Sequence, residues 1–188
     1  KKDKVKLPIH MGSMNKKKTE KEINKWIKDY PGEIVMSDKL DGISFILVNK
    51  NSKTKIFTRG NGTYGKDISN IQKYISLPKL KNDLVVRGEI LISKDNFLKV
   101  KDDFKNARSF IAGMSNQKDF SKKKELLKLV DFVVYELIEP KLLPSEQFTF
   151  IKKNGFKVVD NNIYSQIDFG ILKEKLLLRK KESMYEID

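Results

Sequence analysis

The chain has 188 residues, 39% of them apolar, which is enough to bury the core of one domain; its formal charge of +14 favours polyanionic partners, nucleic acid above all. It has no cysteine, which excludes a disulfide framework, a thiolate zinc site and a cysteine nucleophile, and fits a reducing, intracellular setting. No apolar run approaches the roughly 20 residues needed to cross a bilayer, and the opening Lys1-Lys2-Asp3-Lys4-Val5-Lys6 has no apolar stretch behind it, so neither a membrane partner nor a secretory signal is expected.

In chain order, the first predicted element is a helix starting near Thr19. Thr19 and Glu22 have capping-box spacing, Ile23, Trp26, Ile27 and Tyr30 recur on one face, and Pro31-Gly32 ends the pattern. A strand pair follows, with Glu33 to Ser37 leading through Lys39-Leu40-Asp41-Gly42 into the β-branched run Ile43 to Val48. Asn49 to Ser52 reads as a turn, Lys55 to Arg59 as a returning strand and Gly60 to Gly65 as a glycine-rich loop. A short helix is expected over Asp67 to Tyr74, a strand over Leu84 to Ile92, and a helix over Ser93 to Phe104 with Ser93 as its cap. Val130 to Ile138 is a further strand, Ser145 to Asn154 a helix closed by Gly155, Phe156 to Val159 a short strand and Gln166 to Lys181 a last helix. Hairpin-linked strands with interspersed helices predict an α+β fold of mainly antiparallel sheets flanked by helices.

Lys39-Leu40-Asp41-Gly42 is the segment with the clearest chemistry. A lysine acts as a nucleophile only after losing its proton; its ordinary pKa is about 10.4, so burial or nearby cations must lower it. An aspartate two residues on points to the same side of an extended chain, and glycine permits close approach of a ligand to the backbone. The tetrapeptide alone is a weak signal in so lysine-rich a chain. It is followed in order by Thr58-Arg59-Gly60-Asn61-Gly62-Thr63, Val86-Arg87-Gly88-Glu89, Phe104-Lys105-Asn106-Ala107-Arg108 running into Ala112-Gly113, and Phe132-Val133-Val134-Tyr135.

This ordered set, spanning about Leu7 to Asp188, resembles the adenylation domain of NAD-dependent DNA ligases, within the covalent nucleotidyltransferase superfamily. The segment Leu7-Pro8-Ile9-His10-Met11-Gly12-Ser13 is similar to versions carried by large DNA viruses. The resemblance implies one adenylation domain over residues 1–188, cut short at its C-terminal end and lacking both an N-terminal nicotinamide-recognition domain and a C-terminal OB-fold. It implies a monomer that uses NAD, Mg²⁺ and nicked double-stranded DNA. The lysine would attack the α-phosphorus of NAD, expel nicotinamide mononucleotide and keep AMP as a phosphoramidate. AMP would then pass to the 5′-phosphate at a nick, and the 3′-hydroxyl would displace it.

By the same resemblance Lys39 is the nucleophile, Asp41 its catalytic neighbour and Arg59 the arginine gripping phosphate and ribose. Ser13 and Met14 frame the adenine edge, Glu89 binds ribose hydroxyls or supports a metal, and Tyr135 stacks on adenine. Arg59, Arg87 and Arg108 face nucleic acid, and Asp188 is a second carboxylate for the metal. Arg179 or Lys180 stands where the family has a further arginine. Plainer readings stand beside these: a cross-strand ion pair for Glu89, a surface charge for Arg108, a core tyrosine for Tyr135 and a solvated face for Lys122-Lys123-Lys124. The chain departs from the family at Ser37, where a glutamate usually reads the adenine amino group, and at Asn61, Lys66 and Asn116. An ATP-dependent ligase or capping-type nucleotidyltransferase, and a basic nucleic-acid-binding module without activity, are the alternative functions.

Overall fold

The computed structural model describes residues 4–188; Lys1, Lys2 and Asp3, part of the basic opening stretch, lie outside them. A five-stranded sheet forms the centre, in the order β4 (Lys53–Thr58), β3 (Ile43–Lys50), β6 (Leu84–Ile92), β7 (Val130–Glu139), β8 (Lys157–Val158). Every pairing in it is antiparallel except β7 with β8. Two smaller antiparallel ladders flank it, β1 (Lys4–Lys6) with β5 (Tyr64–Lys66) and β2 (Ile34–Ser37) with β9 (Asn161–Tyr164). The fold is α+β and mainly antiparallel, as expected.

The faces of the central sheet follow from strand alternation. One face carries Phe45, Leu47, Val86, Ile90, Ile92, Phe132 and Val134, all buried. Onto it pack Phe110, Ile111 and Met114 of helix α3 (Ala107–Ser115) and Ile151 of helix α5 (Pro144–Lys153). At about 1.5–3 kcal/mol for each fully buried large apolar side chain, this face is the main source of stability. The opposite face carries two smaller apolar clusters. Leu7, Met11, Ile46, Phe57 and Val85 form one, and Leu40, Leu91, Val133, Val159 and Tyr185 the other. The polar strip between them holds the candidate site.

Helix α1 (Glu20–Asp29) has the expected capping box: the Thr19 hydroxyl accepts from the Glu22 N–H while Glu22 accepts from the Thr19 N–H. Its apolar face is only partly covered, with Ile23 and Ile27 half-buried and Trp26 and Tyr30 exposed. Helix α5 and β7 match expectation to within one residue at either end, and helix α6 (Phe169–Glu182) begins later than predicted because Asp168 accepts from the Ile171 N–H and caps it.

Other expectations are corrected. The helix expected over Ser93 to Phe104 keeps its Ser93 cap but runs only over α2 (Lys94–Phe97). Beyond it the N–H groups of Lys99, Val100 and Asp103 bond three residues back, a tighter coil that turns Val100 into the core. The helix expected over Asp67 to Tyr74 is a 3₁₀ turn over Ser69–Lys73. Strand β5 begins within the end of the predicted glycine loop and runs past it, and β2 pairs with β9 rather than with the strand that follows it. Helix α3 and the short helix α4 (Lys124–Leu127) were not expected.

Candidate active site

Lys39 lies in an extended segment just past β2. Its carbonyl accepts from the Asp188 N–H at 2.8 Å, Leu40 is bridged to Ile187, and the Asp41 N–H donates to the Glu186 carbonyl at 2.9 Å. The Lys39–Asp41 segment is therefore half of a short antiparallel ladder with the C-terminal residues. Alternation sends Leu40 inward, into the cluster with Leu91, Val133, Val159 and Tyr185, and leaves Lys39 and Asp41 on the other side. Gly42 lies tightly against β6: a Cβ there would stand 2.3 Å from the Ile90 carbonyl oxygen and 3.0 Å from Glu89 Cγ.

Lys39 Nζ is in direct contact with Asp188 Oδ2, and the Lys39 side chain is 50% exposed. The desolvated, cation-flanked setting expected for the amine is therefore not what surrounds it. Asp41 Oδ1 accepts from Arg108 Nη1 at 2.6 Å, so Arg108, carried at the start of α3, turns toward the Lys39–Asp41 segment.

Glu89 is buried on β6 opposite Ser44 of β3, whose hydroxyl donates to Glu89 Oε2 at 3.0 Å. Burial pushes its carboxyl up to about 7, against the pull of the Ser44 hydroxyl, the Gly42 N–H and the positive charges of Arg108 and Lys39. Glu89 is not the cross-strand ion pair. That pair is Arg87 with Glu136, adjacent in register and 3.1 Å apart.

Arg87 also donates to the Gly12 carbonyl at 3.2 Å and lies 5.9 Å over the Tyr135 ring; its Nε is buried without a hydrogen-bond partner. A β-bulge places Tyr135: Arg87 pairs with Glu136 and Gly88 with Val134, leaving Tyr135 as the extra residue. Both Tyr135 and Glu136 thereby face Arg87, although neighbours on a regular strand face opposite ways. Burial raises the Tyr135 phenol above its ordinary value, opposed by the Arg87 charge and a hydrogen bond with Ser44.

Arg59 borders the strip at the end of β4. Its N–H donates to the Ser44 carbonyl, its Nε to the Met11 carbonyl at 3.1 Å and its Nη2 to Ser13 Oγ at 2.8 Å. The glycine loop supports this arrangement. Gly60 has φ 54°, and a Cβ there would stand 2.0 Å from the Tyr64 carbonyl oxygen; Asn61 Oδ1 accepts from the Thr63 and Tyr64 N–H groups. Asn61 thus acts as an Asx turn residue. Lys66 donates to the Gln117 carbonyl.

The structure brings Lys39, Asp41, Arg108, Glu89 and Asp188 together, with Tyr135 joined to Glu89 through Ser44 and Arg87 lying over the Tyr135 ring. Ser13 is tied to Arg59, whereas Met14 is 58% exposed at the margin. The sequence reading missed Ser44, which links Glu89 to Tyr135, and Glu136, which holds Arg87. Serine on a strand carries no motif, so only the register of β3 against β6 reveals it. Of Arg179 and Lys180, Arg179 is the one that reaches the nearby carboxylate: its Nη2 and Nε grip Asp38 at 2.9–3.2 Å.

The sequence family described as the NAD-dependent DNA ligase adenylation domain matches residues 3–188. A DNA ligase of Acanthamoeba polyphaga mimivirus is 47% identical over 191 residues, covering 98% of this chain and 30% of its own length. Putative DNA ligase 205R of Invertebrate iridescent virus 6 is 36% identical, covering 98% of this chain and 32% of its own. The chain thus spans about a third of the length of these curated relatives. A solved structure named Pmar-Lig_PreS3 shares the fold with TM-score 0.52 at 16% identity, over 87% of this chain and 39% of that one. With the family's description matching almost end to end, and relatives among large DNA viruses, the chain belongs to the NAD-dependent DNA ligase adenylation-domain family.

Proposed function

We propose that this domain takes AMP from NAD onto Lys39 and delivers it to the 5′-phosphate of nicked DNA, within an intracellular, monomeric DNA ligase. The observation that carries the reading is the convergence of Lys39, Asp41, Arg108, Glu89 and Asp188 at one end of a polar strip that Arg87 and Tyr135 continue. NAD is a substrate here, not a resident group. The Lys39 amine attacks the α-phosphorus, a P–N bond forms, and the P–O bond to nicotinamide mononucleotide breaks, the mononucleotide leaving with the electron pair.

Lys39 Nζ lies against the Asp188 carboxylate, so attack on the α-phosphorus requires this pair to part. Arg59 and Arg108 supply charge for phosphoryl oxygens, Tyr135 a ring for adenine beside Ser13 and Met14, and Glu89 an acceptor for ribose hydroxyls. Arg87 is partly sheltered by Glu136 and Tyr135, and its charge adds to the field felt by nucleic acid.

Among the described residues no group of three or more acidic or histidine side chains could cage a metal. Mg²⁺ commonly uses one or two carboxylates together with substrate phosphates, and the Glu89 and Asp188 carboxylates beside Lys39 fit that pattern. There it would supply charge neutralisation at phosphoryl oxygens.

The test is intact mass spectrometry of the full-length polypeptide carrying this domain, incubated with magnesium and, separately, with NAD, ATP or GTP. The expected result is a gain of one AMP from NAD alone, mapped to Lys39 and lost in Lys39→Ala. A nucleotide adduct formed only from ATP or GTP, or one mapped to another side chain, would overturn the reading.

A further inference from the structure

The residue before the nucleophile is held in a way that the catalytic roles above do not explain. Asp38 points to the side opposite Lys39, and its side chain is only 7% exposed. Arg179, near the end of α6, grips it with two teeth: Nε reaches Asp38 Oδ1 at 3.1 Å and Nη2 reaches Oδ2 at 2.9 Å. Arg179 Nη2 also lies 3.6 Å from Asp160 Oδ2, and the Asp38 N–H donates to the Asp160 carbonyl at 3.0 Å. Three separate parts of the chain (the nucleophile segment, the turn before β9 and α6) meet at this one guanidinium.

The position of Arg179 along the chain matters as much as its partners. Helix α6 ends at Glu182, with the Ser183 N–H bonded to the Arg179 carbonyl, and the chain continues directly into the segment that brings Asp188 onto Lys39. Fixing Arg179 to Asp38 therefore fixes the start of the returning segment relative to the nucleophile. On the inner side of the nucleophile segment, Leu40 supplies an apolar anchor and Asp38 the ionic one. A bidentate arginine–carboxylate contact constrains orientation as well as distance, which a point-charge lysine does not.

We infer that Asp38 and Arg179 act as a positioning pair for adenylation of Lys39, holding the amine in line for attack at phosphorus without touching the substrate. The inference rests on the function proposed above. It predicts an effect on the first chemical step rather than on binding. Small displacements of a reacting atom lower rates on the order of a hundredfold, so loss of the pair should slow adenylation by about tenfold or more.

The experiment uses the full-length protein with magnesium and NAD varied up to saturation, and compares wild type, Asp38→Asn, Arg179→Lys, Arg179→Gln and the double variant D38N/R179Q. The expected result is a rate of AMP transfer to Lys39 lowered about tenfold or more in D38N and R179Q, with KM for NAD within about twofold. R179K should recover only part of the loss, and the double variant should be little worse than either single one, because both singles break the same contact. Sealing of a nick already carrying a 5′-adenylate needs no attack by Lys39, and should fall far less than adenylation. Thermal melts identify any variant that fails to fold, and R179K then serves as the milder probe. Wild-type adenylation from NAD with equal rates in the variants, or equal losses in both reactions, would overturn the positioning role alone. A wild type that takes no AMP from NAD would instead overturn the function on which it rests.

Discussion

Replacing Glu89 by glutamine isolates a quantity that the geometry sets. The Glu89 carboxyl is raised from an ordinary 4.5 to about 7, chiefly by burial. Below pH 4.5 the folded and unfolded chains both hold its proton. Between 4.5 and about 7 the folded chain keeps a proton that the unfolded chain has released, so folding stability falls as pH rises, and the loss levels off above the folded value. Each unit of difference is worth about 1.4 kcal/mol, so the gap corresponds to about 3 kcal/mol between acid and alkaline limits. Glutamine cannot titrate. Its carbonyl can accept from Ser44 and Gly42 as the carboxylate does, while its amide N–H₂ adds a penalty that does not vary with pH. The stability of E89Q minus that of wild type, from urea unfolding at pH 4.5, 6, 7 and 8, should therefore increase by about 3 kcal/mol across the series. Other carboxylates titrate in both proteins and cancel. A difference independent of pH would refute the reasoning, because it would mean that Glu89 is solvated well enough to ionise normally.

Gly42→Ala should lower the melting temperature and slow adenylation together. The new Cβ would stand 2.3 Å from the Ile90 carbonyl oxygen, a rigid backbone atom, so the Lys39 segment must shift at an overpacking cost of about 1–3 kcal/mol; a melt unchanged from wild type would contradict this. Tyr135→Leu should raise KM for NAD roughly two- to twelvefold with the rate at saturation little changed, as expected for loss of about 0.5–1.5 kcal/mol of ring stacking. A lower melting temperature with unchanged KM would instead favour the core-tyrosine reading.

What the sequence disclosed was mostly local. Thr19 with Glu22 announced the start of α1, Gly155 the end of α5, and the apolar runs of β6 and β7 their own extents, because capping and alternation act over a few residues. Partnership between distant segments was not legible. Nothing in Glu33 to Ser37 indicates that Asn161–Tyr164 completes its ladder. Helix α3 was missed although Asn106 and Ser109 form a reciprocal cap, since serine stands where the familiar pattern has glutamate or glutamine. Lys39, Asp41, Glu89 and Arg108 were legible as a set because their motifs occur in order. The bulge that gives Tyr135 and Glu136 one face depends on a register shift at Arg87/Gly88, which only the paired strands define. Strand alternation turns Asp38 away from Lys39, yet nothing local in the sequence names its partner, which only α6 folded against it supplies.

The same non-locality shapes the site itself. The backbone of Lys39 and Asp41 has its ladder partner at Glu186 to Asp188, at the far end of the chain. That partner is pinned by Tyr185, buried in the cluster with Leu40, its hydroxyl donating to Asp131 Oδ2 at 2.8 Å, and by the Lys94 N–H bonded to the Met184 carbonyl at 2.8 Å. Asp131 is itself paired with Lys157 of β8. The placement of Lys39 therefore runs through the central sheet: Asp131 and Leu91, which receive Tyr185, both stand on it, and Tyr185 in turn anchors the ladder. A ladder between segments so far apart carries a loop-closure cost that local contacts do not, and the packing of the whole domain is what offsets it.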